Sequence, residues 1–452
     1  MTAGEADVGS RTASAAGDYE RVVRAWAMYD WANSAFAVVV LTAVFPVYYR
    51  TLVLNAGGSP ADATAYWAYT TSVSLLAVAA VGPLLGAVAD LANRRKRFLG
   101  AAVLLGVSGT ASLAFLGPNG FLLGSLAFAL GNTGFAAGNI FYEALLPHVA
   151  RREDTDRVSA RGYALGYLGG GLLLALNALW LARPTWFWMP DRDFALRVCF
   201  ASVAVWWLVF AWPLFRNVTE PSARSDQGRS ISRLMIGGIQ RLAGTLRQIR
   251  RYRQAGLFLV AFWTYNDGIG TIIKLAAAYG DEIGVPHDRM LIALILTQLI
   301  GFPSTLAFGS LALRLGAKRA IFAGLAVYTL ITVAGFFMTS AFHFYVLAIA
   351  VGLVQGGTQA LSRSLFASMV PKLQSAEFFG FFSTGEKLAG IVGPAVFGMI
   401  GQLTGSSRWG ILSVAALFVA GAALLARVDV EAGRRLARMV ERDARGRKGA
   451  VY

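Results

Sequence analysis

The chain has 452 residues, of which 56% are hydrophobic and only 15% are charged. Because the surface of a soluble domain must meet water, this composition excludes such a domain and indicates a chain that has lipid as its solvent. The net charge of +16 does not indicate a nucleic-acid partner, because the basic residues are divided among separate short connections and do not gather on one face.

Twelve apolar runs follow one another along the chain, and each is long enough to cross a hydrocarbon core that requires about 20 helical residues. The first six lie at 25–49, 64–90, 98–117, 120–146, 158–182 and 194–215. The second six lie at 255–279, 288–312, 319–338, 342–370, 378–403 and 407–427. The sequence therefore predicts an all-α membrane protein of twelve transmembrane helices in two six-helix bundles.

These runs divide the chain into five predicted parts. They are an N-terminal tail (1–23), an N-terminal six-helix bundle (24–215), a linker (216–254), a C-terminal six-helix bundle (255–427) and a basic tail (428–452). In the linker, apolar residues recur at helical spacing and arginines occupy the other positions. This pattern predicts an amphipathic helix on a lipid surface with anionic headgroups.

Basic residues occur in alternate connections between the runs, and the other connections carry acids such as Asp281, Glu282 and Asp288. The basic stretches lie at 94–97, 151–157, 314–319 and 434–448. Since basic residues favour the cytoplasmic side of a membrane, the alternation predicts that both termini are cytoplasmic. We expect a multi-pass protein of the cell (plasma) membrane.

The sequence predicts no metal, no cofactor and no catalytic group. The single cysteine, Cys199, excludes an internal disulfide and a multi-cysteine metal site. The three histidines are far apart and lack ligand spacing, and no nucleotide-binding Walker sequence is present. We expect a small-molecule substrate and the bilayer as partners, no nucleic acid, and a monomeric protein.

Several signals recur in the two halves in the same order. Tyr29-Asp30 in the first run has a counterpart in Tyr265-Asn266-Asp267 in the seventh run. The fourth and tenth runs both end at a proline after a glycine-rich stretch. The recurrence predicts that the two bundles are related by pseudo-symmetry, as in transporters built from repeats.

The second run ends in Gly86-Ala-Val-Ala-Asp90, followed by Leu-Ala-Asn93 and then Arg94-Arg95-Lys96. This segment resembles the loop signature of the major facilitator superfamily, with leucine in place of a base and Asn93 in place of the second glycine. Asparagine also tolerates left-handed backbone angles, so we expect the turn to survive the change.

We expect this loop to hold one conformation closed, because Asp90 would cap or pair charge at a neighbouring helix end. The second copy has Leu313 in place of the acid, which weakens the same expectation there. The alternative is a basic loop that serves topology alone. The predicted gate and latch residues are Gly86, Asp90, Arg94, Arg95, Glu143, Arg161, Gly316, Lys318 and Arg319.

Six further segments resemble, in order, the vacuole-effluxer-like branch of that superfamily, which is also called the unknown major facilitator family. They are Trp26–Phe36, Phe141–Pro147, Ser159–Gly169, Tyr265–Gly268, Gln359–Ser364 and Phe379–Phe381, the last followed by Lys387. The resemblance spans nearly the whole chain and implies the twelve-helix major facilitator fold. Eukaryotic members are described as exporting amino acids from the vacuole, so the resemblance implies a transport class more firmly than a ligand.

Charged side chains inside membrane helices cost about 3 kcal/mol each on insertion scales, so they are usually buried, paired and functional. Asp30, Asn33 and Ser34 share one helix face, and with the adjacent Tyr29 they could line a central cavity. The alternative for Asp30 is a carboxylate at a helix end that faces the headgroups. The predicted cavity residues are Tyr29, Asp30, Asn33, Ser34, Tyr265, Asn266, Asp267, Thr271, Lys274, Arg363 and Lys387.

Asp267 is the deepest of the intramembrane acids and shares a face with Thr271 and Lys274. A buried carboxylate can load and release a proton, so we expect Asp267 to couple transport to protons or to contact substrate. A static ion pair with Lys274 or an arginine is the structural alternative.

Arg363 lies inside the tenth run, where a guanidinium could clamp a substrate carboxylate. The alternative is an ion pair across the two halves with an acid such as Glu143, which would gate the cytoplasmic side. Lys387 could likewise bind a substrate carboxylate or form an ion pair with an acid of the protein. Arg161 is expected at a gate or near headgroups.

The function predicted from these features is secondary active transport of a small organic solute, amino acids first, by alternating access and driven by protons. A proton-driven exporter of drugs or metabolites is the alternative within the same class. A transporter-derived sensor or a membrane-embedded enzyme would need an added domain or a nucleophile–base pair, and neither is visible.

Overall fold

The computed structural model describes residues 3–220, 236–240, 244, 251–282, 284–389, 392–404 and 406–449, and this part of the chain contains no strand. The N-terminal half comprises α1 (Ala3–Ala35), α2 (Phe45–Asn55), α3 (Pro60–Ala92), α4 (Arg95–Ser112), α5 (Phe121–Val149), α6 (Thr155–Ala182) and α7 (Arg192–Asn217). The C-terminal half comprises α8 (Arg253–Glu282), α9 (His287–Leu315), α10 (Ala317–Phe336), α11 (Ala341–Met369), α12 (Ser375–Ala389), α13 (Val392–Thr404), α14 (Ser407–Ala426) and α15 (Val430–Gly449).

Within the described residues, nine helices are long and apolar enough to cross a membrane, and α1 with α2 makes a tenth span bent by 44°. The predicted seventh and eleventh spans coincide with α8, which carries charged side chains, and with the successive helices α12 and α13. Most of the predicted amphipathic helix of the linker lies outside the described residues. Helix α1 begins at Ala3, so the segment predicted as a tail continues into the first helix.

The bend in the first span follows from its local backbone. Residues Phe36–Ala43 form a π-helix, and the N–H of Val44 donates to the carbonyl of Val39 at 2.8 Å, five residues earlier. Pro46 follows at the start of α2 and has no N–H to continue the helical ladder. Departures from α-helical geometry of the π type are frequent at functional sites, and this one follows directly after the polar face of α1.

Helices within the N-terminal bundle approach closely at small residues, as membrane helices do in the absence of a hydrophobic drive between them. A Cβ atom on Gly109 of α4 would lie 2.4 Å from the backbone nitrogen of Gly131 on α5. Aromatic rings fill the wider parts of the bundle, where Phe45 stacks on Phe128 with ring centroids 5.5 Å apart.

A pair of lysines shows the pseudo-symmetry of the two bundles. Lys96, at the start of α4, donates through Nζ to the carbonyl oxygens of Phe215, at 2.8 Å, and Val218, which lie at the end of α7. Lys318, at the start of α10, donates to the carbonyls of Ala426 and Val428, 3.0 and 2.8 Å away at the end of α14. In each half a lysine neutralises the negative end of the sixth helix of its bundle.

Both bundles present their basic connections at one end of the molecule, which we call the basic end. It comprises the α3–α4, α5–α6, α9–α10 and α11–α12 connections together with α15. Tyr19 of α1 donates to Asp154 of the α5–α6 connection at 2.9 Å. Arg152 of the same connection donates to Glu441 of α15 at 2.5 Å. Several contacts between the two bundles lie near this end.

Candidate functional site

An ion pair joins the two bundles in the protein interior near the basic end. Arg363 on α11 donates through Nη1 and Nη2 to the same oxygen, Oδ2, of Asp30 on α1, and both distances are 3.1 Å. The two residues are 1% and 8% exposed, respectively. Arg363 therefore forms its ion pair with Asp30, while Glu143, the acid named as a possible partner, is buried nearby on α5.

Neighbouring residues make further hydrogen bonds and ring contacts with this pair. Arg363 also donates to Oγ and to the carbonyl oxygen of Ser159, at 2.9 and 3.0 Å. The hydroxyl of Tyr142 donates to Asp30 at 2.8 Å. The guanidinium also lies over the rings of Tyr163, Trp26 and Tyr142, 4.3, 4.9 and 5.5 Å from their centroids.

Burial makes this pair costly to break. Removing charges from water costs several kcal/mol per ion, and a buried pair offsets that cost only with good geometry and additional hydrogen bonds. The Asp30–Arg363 pair has good geometry and additional hydrogen bonds. Its two residues belong to different bundles. The contact can exist only while the bundles meet at the basic end.

A second cluster joins α3 to α12, again across the bundles. Asp90 accepts from Nε of Arg95 at 2.7 Å and from the backbone N–H groups of Ala376 and Glu377 at 3.2 and 2.9 Å. These N–H groups are at the beginning of α12, where a carboxylate is stabilised by unpaired donors and by the helix dipole. Asp90 thus lies at the end of a neighbouring helix, and its role as a latch stays a prediction.

Two residues of the loop signature allow that contact. A Cβ atom on Gly86 would lie 2.2 Å from the carbonyl oxygen of Ala376, so only glycine permits the approach of α12. Asn93 has φ of 50°, which is the left-handed conformation expected for the residue that replaces glycine. The side-chain oxygen of Asn93 accepts from Arg95 at 3.2 Å.

The carbonyl oxygen of Lys372 is a shared acceptor in the same region. It accepts from Nη2 of Arg95 at 3.4 Å and lies 3.0 Å from Nε2 of His148 at the end of α5. Sequence reasoning did not select His148, because a lone histidine at a helix end carries no pattern of its own.

Helix α6 also contacts the other bundle. Ser159 donates to the carbonyl of Ala360 at 2.7 Å, and Ser364 donates to Asp156 at 2.5 Å. A Cβ on Gly309 would lie 2.7 Å from the Cβ of Ala160. The second-half glycine thus makes a close approach across the interface even though Leu313, 59% exposed, replaces the acid.

The predicted cavity residues of α1 have different surroundings. Tyr29 is fully buried in the N-terminal bundle, with its ring centroid 4.6 Å from that of Tyr142. Asn33 donates to Oδ1 of Asn139 at 2.7 Å, and Ser34 lies against Gly166 of α6.

Asp267 on α8 is 3% exposed. Its Oδ2 accepts the N–H of Gly393, at the beginning of α13, at 2.7 Å. Its Oδ1 is buried and has no hydrogen-bond partner in the described part of the chain. Thr271 donates to the backbone carbonyl of Asp267 at 2.7 Å, and Lys274 is exposed.

Two neighbours of Asp267 bind α11. The hydroxyl of Tyr265 lies 2.5 Å from that of Ser362, and Asn266 accepts from Gln359 at 3.5 Å. The side chain of Lys387 lies outside the described residues.

The other predicted gate residues lie at the basic end. Arg161 pairs with Glu20 of α1, within the N-terminal bundle. Arg94 precedes α4, Gly316 turns the chain between α9 and α10 with φ of 84°, and Arg319 is exposed. In the described part of the chain, no group of three or more His, Cys, Asp or Glu side chains could hold a metal ion.

Comparison with known proteins shows the family to which the chain is similar. The sequence pattern of the family described as vacuole effluxer Atg22 like matches residues 18–438. The MFS-type transporter YxiO of Bacillus subtilis is 37% identical over 90% of this chain and 94% of its own length. Autophagy-related protein 22 of Cryptococcus neoformans is 28% identical over 65% of this chain, which spans just over half (56%) of that longer relative.

The fold is also that of a solved transporter. The crystal structure of the human organic anion transporter MFSD10 matches with a TM-score of 0.67 and 13% sequence identity, over 90% of this chain and 99% of that chain. At this identity the likeness concerns the fold alone. The predicted two-bundle fold of twelve helices is confirmed.

Proposed function

The chain belongs to the Atg22-like vacuole effluxer family of major facilitator transporters, and on that premise we propose that it moves a small organic solute by proton-driven alternating access. Like its relatives it is a multi-pass membrane transporter and not an enzyme. The observation that carries the proposal is the buried Asp30–Arg363 pair, which joins the two bundles near the basic end.

Alternating access requires contacts that form in one state and break in the other. The Asp30–Arg363 pair and the capping of α12 by Asp90 both cross the interface between the bundles. We assign both to the gate of the basic end. The donors of Arg363 are directed at Asp30 and Ser159 in this conformation, which favours the gate over the clamp of a substrate carboxylate.

Asp267 is the coupling group in this proposal. One carboxylate oxygen caps α13 and the other is buried without a partner in the described residues. A proton or a substrate ammonium group would satisfy that oxygen. An unpaired carboxylate in the interior is costly, so loading and release of a cation there would favour different conformations.

Amino acids are the first substrate class, because the resemblance to the vacuole-effluxer-like branch implies them and because an ammonium group suits Asp267. The alternation of basic residues supports cytoplasmic termini and a plasma-membrane location, with the basic end in the cytoplasm. The gate formed by Asp30 and Asp90 would then be the cytoplasmic one.

The test is flux into proteoliposomes with a panel of amino acids, with and without a pH gradient. We expect the gradient to drive flux of at least one amino acid, and we expect Asp267→Asn to abolish the response to the gradient. Asp193→Asn, which removes an exposed carboxylate at the start of α7, is the matched control. Unchanged gradient-driven flux in Asp267→Asn would exclude the coupling role, and drug efflux without amino-acid flux would favour an exporter.

A further inference from the structure

Helix α15 lies across the basic end and touches both bundles. It begins four residues after the end of α14, and Arg434 donates through Nε to Ser368 of α11 at 3.1 Å. Further along, Glu441 accepts the N–H of Lys372 at 3.1 Å and pairs with Arg152 of the N-terminal bundle at 2.5 Å. A helix attached to one bundle is thus bound to the other through one carboxylate.

A cleft opens beside that carboxylate. It has a volume of about 440 Å³ and is lined by Arg152, Arg438, Glu441 and Arg442. Arg438 and Arg442 are one helical turn apart on the same face of α15, where like charges destabilise a helix. The two oxygens of Glu441 already bind Arg152 and Lys372, and no carboxylate pairs with Arg438 or Arg442 in the described part of the chain.

Three guanidinium groups around one engaged carboxylate leave an excess of positive charge that an anion would neutralise. Guanidinium groups present planar forks of N–H donors, which match phosphate oxygens in bidentate fashion. The cleft is also close to the end of a transmembrane helix, since Arg152 follows the last residue of α5 by three positions, and therefore lies near the level of lipid headgroups.

We propose that this cleft binds a phosphate-bearing anion, either the headgroup of an anionic phospholipid or a soluble phosphate compound, and that the bound anion stabilises closure of the basic end. Arg152 belongs to the N-terminal bundle, whereas Arg438 and Arg442 belong to a helix fixed to the C-terminal bundle. The complete site exists only while the bundles meet at this end. A ligand shifts an equilibrium by its differential affinity for the two states, so the anion favours the closed state.

The test measures the distance between the bundles at the basic end. The full chain, with Cys199→Ala, carries spin labels at Arg97→Cys on α4 and Arg314→Cys on α9, both exposed positions. It is placed in nanodiscs of phosphatidylcholine alone, of phosphatidylcholine with phosphatidylglycerol, or of phosphatidylcholine with added inorganic pyrophosphate. We expect phosphatidylglycerol or pyrophosphate to raise the ratio of closed to open molecules by about fivefold or more.

The variants separate the cleft from general electrostatic attraction. Arg438→Gln/Arg442→Gln removes two guanidinium groups of the cleft and should lose the response. Arg427→Gln/Arg435→Gln removes two exposed charges from the same region that do not line the cleft, and should keep it. If the first pair disturbs folding, as judged by thermal unfolding, Arg442→Gln alone is used and should reduce the response.

The outcomes decide both the site and the source of its ligand. A response to phosphatidylglycerol alone identifies a lipid headgroup, and a response to pyrophosphate in neutral nanodiscs identifies a soluble anion. Equal responses in the two double variants, or no response of the parent protein to either anion, would overturn the proposal. Failure of amino-acid flux would not affect this result, because the distance measurement needs no substrate.

Discussion

Asp30 and Asp267 are carboxylates in corresponding segments of the two bundles, on the first helix of each, yet their surroundings differ. Asp30 accepts from Arg363 and Tyr142 and holds the bundles together. Asp267 accepts one backbone N–H and keeps a buried oxygen without a partner in the described residues. The comparison teaches that the acid of one half is used to join the two bundles, whereas the acid of the other half is only partly satisfied by the described residues.

The largest expected effect comes from removing the ion pair between Asp30 and Arg363. Arg363→Gln leaves Asp30 buried without its counter-ion, and we expect a loss of about 3–5 kcal/mol in the free energy of unfolding. Asp30→Asn/Arg363→Gln should recover a large part of that loss, because no uncompensated charge remains. Equilibrium unfolding in detergent measures both, with Arg435→Gln as the exposed-arginine control.

A double variant no more stable than Arg363→Gln would contradict the interpretation of these two residues as a charge pair. That result would mean that Arg363 stabilises the protein through its contacts with Ser159 and the aromatic rings.

An intermediate effect is expected at the second closure of the basic end. Gly86→Ala places a Cβ 2.2 Å from the carbonyl of Ala376, so α12 must move away and Asp90 loses its position at the helix N-terminus. Overpacking of this kind costs about 1–3 kcal/mol. The spin-label distance between Arg97→Cys and Arg314→Cys should lengthen, with more molecules open at the basic end.

Gly100→Ala is the matched control for this variant, because a Cβ there would lie 3.5 Å from the ring of Phe215, an ordinary contact. If both alanine variants left the distance distribution unchanged, the close contact of α3 with α12 would have no role in holding the basic end closed.

The smallest effect on stability is expected at Asp267. Asp267→Asn keeps an oxygen that can accept the N–H of Gly393, so the free energy of unfolding should change by less than about 1 kcal/mol. Asp30→Asn, by contrast, leaves Arg363 buried without a counter-ion and should be far more destabilising. Unfolding of the two variants side by side measures the difference, and equal losses would remove the distinction between the two acids.

Part of the site was predictable because its chemistry is local. The position of Asp90 after Gly86 at the end of one span, followed by arginines, already indicated a carboxylate at a helix end, and Asn93 indicated a left-handed turn. Burial of Asp267 was predictable because a long apolar run surrounds it. The role of Tyr142 and Ser159 was not, although both lie in segments that carry the family resemblance, because a tyrosine or serine in a membrane helix has no distinctive spacing.

The partner of Arg363 could not be chosen from the chain alone. Glu143 and Asp30 were both acids in the N-terminal half, and the pair that forms joins residues 333 positions apart. The partner of Glu441 could not be chosen from the chain either, because its contact with Arg152 joins residues 289 positions apart.

The sequence by itself determined that this protein lies in lipid and how many times it spans the bilayer. It also placed the basic connections at one end. These features could be predicted because hydropathy and charge act over single helices. Only the tertiary structure decided which charges meet across the bundles, and which carboxylate oxygens find a partner among the residues that the structure describes. These outcomes depend on how two bundles dock, and docking brings together residues that no local pattern relates.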